Sequence, residues 1–137
     1  MKKLASIVLY LFLASYSFGQ TGNEHKIVFQ LATSDTITHK ALMKQLNNIL
    51  RIAQTSKLEI VCQGPGLDIL MKEHSIVAAP IDELKKRGVE FLACEFSMKQ
   101  RKVDKSQIIP SAGFVEAGIL EIVSKQEKGW SYIKSGF

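Results

Sequence analysis

The sequence predicts an α/β protein built on a mainly parallel sheet of about five strands. Three observations lead there. Short apolar runs rich in Ile, Val and Phe alternate along the chain with stretches of helical spacing, the order that builds parallel sheets through helical crossovers. The 137 residues, 46% of them hydrophobic and 23% charged, suit one compact domain. Two cysteines and three prolines exclude a disulfide-dense scaffold and a collagen-like fibre, and the apolar content argues against disorder.

The opening segment stands apart from that domain. Met1-Lys2-Lys3 is a short positive start, Leu4 to Ala14 is almost unbroken apolar sequence, and Ser15 to Gly19 turns small and polar. Ser17 and Gly19 carry the small side chains that a signal peptidase accepts. Residues 1–19 therefore read as a signal peptide cleaved after Gly19, with residues 20–137 as the mature domain, and the expected location is periplasmic or secreted. An uncleaved anchor would need roughly 20 apolar residues, and Ser15, Ser17 and Gln20 interrupt the run first. No cysteine follows the run, so no thiol is available for lipoprotein acylation. Losing Lys2 and Lys3 lowers the formal charge from +5 to about +3. The remaining cations, clustered at Lys85-Lys86-Arg87 and at Lys99, Arg101, Lys102 and Lys105, read as solvated surface. Without interleaved aromatics or a reading motif, no nucleic-acid partner is expected.

In the mature part, Lys26 to Ala32 reads as a first strand, followed by Thr33, Ser34 and Asp35 as turn and N-cap types. The next stretch, to about Ala53, sets Leu42, Leu46, Ile49 and Ala53 on one helical face. Lys57 to Gln63 is a second strand broken by Gly64-Pro65-Gly66, and Leu67 to Lys72 reads as a short helix. Pro80 to Arg87 is the clearest helix: proline in its first turn, Asp82 and Glu83 early, three cations late, Gly88 as the stop. Val89 to Ala93 is a third strand closed by Cys94, and Glu95 to Arg101 a helix. Asp104 with Gln107 has capping-box spacing. Ala112 to Val115 is a fourth strand, Glu116 to Lys128 a helix ended by Gly129, and Trp130 to Lys134 a last strand. Ile27, Phe29, Leu31, Ile60, Phe91 and Leu92 are the expected sheet core.

Cys94 is the leading candidate site. It falls where a strand ends and a helix begins, the region where open α/β sheets gather ligands and reacting groups. Free amides at a helix start favour the thiolate, the nucleophilic form. Glu95 opposes this as a neighbouring anion, unless Lys99 and Arg101 fold back to offset it. The competing reading is a small buried hydrophobe. Cys62, inside the second strand, reads as a core thiol or, in an oxidising compartment, as a redox partner of Cys94. Gly64 and Gly66 could present amides to an anion, but the segment lacks the lysine and hydroxyl of a nucleotide loop and reads better as a tight turn. With Ser34 and Glu95 they outline a candidate cleft around Cys94. His25, His39 and His74 are scattered, suit surface or capping roles, and with two cysteines supply no metal site.

The ordered set Glu59-Ile60-Val61-Cys62-Gln63-Gly64-Pro65-Gly66-Leu67, Leu84 to Glu95 (Leu-Lys-Lys-Arg-Gly-Val-Glu-Phe-Leu-Ala-Cys-Glu), Ile108-Ile109-Pro110-Ser111-Ala112-Gly113 and Gly129-Trp130-Ser131-Tyr132-Ile133 resembles the DsrE/DsrF-like (DsrEFH) sulfur-relay superfamily, in a small exported stand-alone form. The resemblance runs from about Lys26 to Lys134. It implies a three-layer α/β/α fold, a homo-oligomer, and a persulfide-bearing thiol at the position matched by Cys94. Cys62 inherits no role from it. The function implied is a sulfur carrier or thiol-exchange protein, more a carrier than a turnover enzyme. It would need no cofactor and would work with a sulfur donor or acceptor protein, without a stable membrane anchor after cleavage. The alternatives are a non-catalytic oligomeric small-ligand-binding module with a structural cysteine, and an intramolecular Cys62–Cys94 redox switch.

Overall fold

The structure of the protein, a computed structural model, describes residues 24–136. The expected signal peptide, with its expected cleavage after Gly19, lies outside the described residues. Five strands, β1 (Lys26–Leu31), β2 (Lys57–Cys62), β3 (Glu90–Cys94), β4 (Gly113–Val115) and β5 (Ser131–Ser135), form one sheet in the order β4-β3-β2-β1-β5. Every pairing is parallel. The helices are α1 (Thr36–Ile52), α2 (Ala78–Lys86), α3 (Glu95–Arg101) and α4 (Gly118–Glu127), with 3₁₀ runs at Gly64–Leu70 and Lys105–Gln107.

Local chemistry sets most of these limits. Asp35 caps α1, its carboxylate accepting from the amides of Ile37 (3.2 Å) and Thr38 (2.9 Å). Gly88 takes a positive φ of 88° just beyond α2, a conformation that costs glycine little. Asp104 and Gln107 close the capping box expected from their spacing.

From β1 to β4 the chain steps across the sheet in one direction. The crossovers lie on one face, over a core that includes Phe29, Leu31, Leu42, Leu46, Ile60 and Phe91, joined by Met98 of α3. The last crossover, from β4 through α4 to β5, returns over the sheet in the opposite direction. A right-handed connection then belongs on the other face, and there Ile122 of α4 packs on Val28 and Val61. The sandwich has the three layers expected, the second helical layer being formed, among the described residues, by α4 alone.

Of the expected core residues, Phe29, Leu31, Ile60 and Phe91 are buried, while Ile27 and Leu92 are half-buried. Leu92 faces the α4 side, and α4 rests on β1, β2 and β5 and leaves β3 largely uncovered. The short helix expected over Leu67–Lys72 is instead a 3₁₀ run beginning earlier, at Gly64. Gly64 turns the chain at φ 51° and Pro65 opens the run. At its end Met71 leaves to form an antiparallel bridge with Ile108.

Candidate functional site

The connection leaving β3 goes to one face of the sheet and the connection leaving β4 to the other. The crevice between the ends of these two neighbouring strands is therefore a topological switch point, where open α/β sheets place ligands. Cys94 stands in it. It is the last residue of β3, pairs in register with Val115 of β4, and serves as N-cap of α3.

The groups around its sulfur come from distant parts of the chain. The Gly118 N–H, at the start of α4, donates to Cys94 Sγ at 3.2 Å. The Ser97 hydroxyl, one helical turn beyond Cys94, is close enough to favour the thiolate. That hydroxyl is itself held, because its oxygen accepts from the Gly64 N–H at 2.9 Å. Burial pushes the Cys94 thiol up and is the largest single influence. The Ser97 hydroxyl, with the amides of Gly118, Ser97 and Phe96, outweighs it and leaves the thiol below its ordinary value. The site combines a primed sulfur with little access: Cys94 is only 4% exposed.

Glu95, the neighbouring anion, is offset by Lys105, which pairs with its carboxylate and lies 4.6 Å from the centre of the Phe114 ring. The offset thus comes from Lys105, where the sequence had offered Lys99 and Arg101 as the residues that could supply it by folding back. Arg101 points to the 3₁₀ run instead, donating to Gly64 O at 2.9 Å and to Asp68 at 2.7 Å. It braces the turn that holds Ser97.

Cys62 is fully buried, and burial alone drives its thiol strongly upward. Its in-register neighbour is Ala93, and both belong to the core on the α1 face. Cys94, one residue further, faces α4. The two thiols thus lie on opposite faces of the sheet, and both are free. A bridge would require backbone movement, so the redox-partner role for Cys62 is corrected: alternation along β3 separates two residues that sequence position alone left adjacent.

The wider cleft is also revised. The Gly64 N–H is taken by Ser97 and the Gly66 N–H by Gln63 O at 2.9 Å, so neither amide faces an anion. Gly66 is a packing glycine, since a Cβ there would stand 2.1 Å from Leu31 O. Ser34 is exposed in the turn after β1, and no hydrogen bond among the described residues ties it to Cys94. His39 is buried rather than on the surface, with Nε2 2.8 Å from Thr33 O. Among the described residues no group of three or more His, Cys, Asp or Glu is placed to hold a metal ion. None of their helices is long and apolar enough to cross a membrane.

Sequence reasoning missed Ser97, Gly118 and Gln63. Ser97 had a local signal, three residues after an N-cap as in a capping box. Gly118 fell inside the helix expected from Glu116 to Lys128 and carried no signal of its own.

The fold and site define a class: parallel α/β proteins that hold a single buried, hydrogen-bonded thiol at the switch point of the sheet. The model of the DsrE/DsrF-like family matches residues 12–135, and the chain belongs to that family. Among solved structures it is similar to the protein of unknown function MTH1491 from Methanobacterium thermoautotrophicum. That likeness has a TM-score of 0.77 and 24% identity over 81% of this chain and 99% of the other, and it supports the fold. No curated protein matches.

Proposed function

We propose that the protein is an exported carrier of sulfane sulfur, with Cys94 as the thiol that bears it. The observation that carries this reading is the Gly118 N–H donating to Cys94 Sγ at 3.2 Å, with the Ser97 hydroxyl also favouring the thiolate, because a thiolate so stabilised is the form that attacks sulfur. The Cys94 thiolate attacks the outer sulfur of a donor persulfide or polysulfide. The donor S–S bond breaks, its inner sulfur leaves as a thiolate with the electron pair, and a new S–S bond forms on Cys94. An acceptor thiolate then takes the outer sulfur and returns Cys94 to a thiolate, so no external oxidant or cofactor enters. Family membership supports a sulfur-relay role. The exposed apolar residues Ile119, Leu120 and Val123 on α4 support assembly into a homo-oligomer, an expectation carried with the carrier reading.

The test is intact-mass analysis of the mature domain after incubation with polysulfide. A gain of about 32 Da, one sulfur atom, lost in Cys94→Ser and kept in Cys62→Ser, is the expected result. No gain in either form overturns the reading. The 4% exposure of Cys94 favours a second reading, a non-catalytic binding module in which this cysteine is structural. Absence of the adduct together with an inert Cys94 would support that one.

A further inference from the structure

We propose that the Gln63 side chain gates Cys94 and selects a small anionic donor of sulfane sulfur. This rests on the carrier reading for its chemistry and on the sheet register for its geometry. Cys62 pairs with Ala93, so the same register carries Gln63 alongside Cys94, one strand spacing of about 4.8 Å away. Alternation along the two strands turns both side chains to the α4 face. Gly118 reports the same proximity: a Cβ built on it would meet Gln63 Oε1 at 3.0 Å and Cys94 Cβ at 3.2 Å. Gln63 and Cys94 thus press on the same spot from two sides.

Something must move before Cys94 can react, because the thiol is nearly covered. Gly118 is fixed in the backbone of α4, and Ser97 is buried and held by the Gly64 amide. Gln63 differs. Its backbone is pinned, the N–H donating to Leu31 O at 3.0 Å and the C=O accepting from Gly66, but its half-buried side-chain amide has no hydrogen-bond partner among the described residues. A flexible side chain can rotate away without breaking the sheet, which makes it the cheapest opening available. Once rotated, its NH₂ group is a free donor beside the sulfur, suited to an incoming anion and neutral toward an uncharged reagent. An opening one side chain wide admits a polysulfide anion and excludes a bulky donor.

The experiment compares two reagents, neutral iodoacetamide and anionic polysulfide, on the mature protein and on Gln63→Ala and Gln63→Glu. Cys62 serves as the internal monitor of unfolding. Gln63→Ala should raise iodoacetamide modification of Cys94 about tenfold, as expected when a closing contact is lost, with Cys62 still protected. Gln63→Glu should lower the ratio of polysulfide to iodoacetamide reactivity, since a carboxylate repels the anionic reagent, while its lowering of the thiolate fraction slows both reagents alike and cancels in the ratio. An unchanged Cys94 rate in Gln63→Ala, or Cys62 becoming reactive in step with it, overturns the gate. An unchanged ratio in Gln63→Glu overturns the selection. If polysulfide modifies no form while iodoacetamide still responds to Gln63→Ala, the carrier reading falls and the gate stands.

Discussion

The amide of Gly118 reaches Cys94 Sγ, 3.2 Å away, because residue 118 has no side chain. A Cβ there would stand 3.0 Å from Val61 Cγ1 and 3.2 Å from Cys94 Cβ. Gly118→Ala should therefore push the start of α4 off the sheet, at a cost of about 1–3 kcal/mol for overpacking. The urea midpoint should fall. The pH at which Cys94 becomes alkylated should rise, because the departing amide takes its stabilisation of the thiolate with it.

Ser97→Ala separates priming from packing. Without the hydroxyl, Cys94 loses a donor to its anionic form, so the midpoint of a pH–alkylation curve should shift upward. The Gly64 amide also loses its acceptor, a loss of about 1–3 kcal/mol for a buried unpaired group. Denaturant titration checks the second effect and the alkylation curve the first. An unmoved midpoint would remove Ser97 from the site.

Glu59 makes stability depend on pH. Its carboxylate is buried on β2 beneath α4, pairs with Lys125 through one oxygen, and leaves the other without a partner. Burial raises its pKa, and Lys125 only partly counters this. A carboxyl with a raised folded-state pKa binds its proton more tightly when folded. Its favourable contribution is full below its unfolded value of 4.5 and is lost as pH rises through the higher folded value. Glu59→Gln should flatten the stability–pH curve in the window just above 4.5, as measured by urea titration at successive pH values.

Phe91 is fully buried in β3, three residues before Cys94. Phe91→Ala should cost about 3–5 kcal/mol, transfer and cavity terms together, and chemical denaturation measures it directly. A cost below about 1 kcal/mol would mean that β3 is not the interior strand described, between β4 and β2.

What the sequence revealed was what neighbouring residues decide. Asp35 before a helical run, Gly88 after one, and Asp104 three residues from Gln107 all act within a turn of themselves, and each holds in the structure. The succession of strands and helices along the chain followed from alternating patterns, and Cys94 at a strand end was visible for the same reason. The shell around Cys94 was not. Gly64 and Ser97 are 33 residues apart, and Cys94 and Gly118 are 24 apart, so only tertiary packing joins them. The counter-charge to Glu95 shows the same limit. Lys99 and Arg101 are closer in sequence, yet the chain turns after α3, where Lys102 takes a left-handed φ of 55°, and Lys105 is the residue brought back.

The strand laid beside β1 is the last one made: Ile27 is aligned with Ser131 and Leu31 with Ser135. Strands β1 to β4 pair with their neighbours in sequence, but one flank of β1 stays open until β5, the described strand farthest from it in sequence, docks. Pairing of such separated segments is slow in a two-state fold. The sheet is thus completed by its most distant pairing, and the closure of β5 on β1 is the step expected to limit folding.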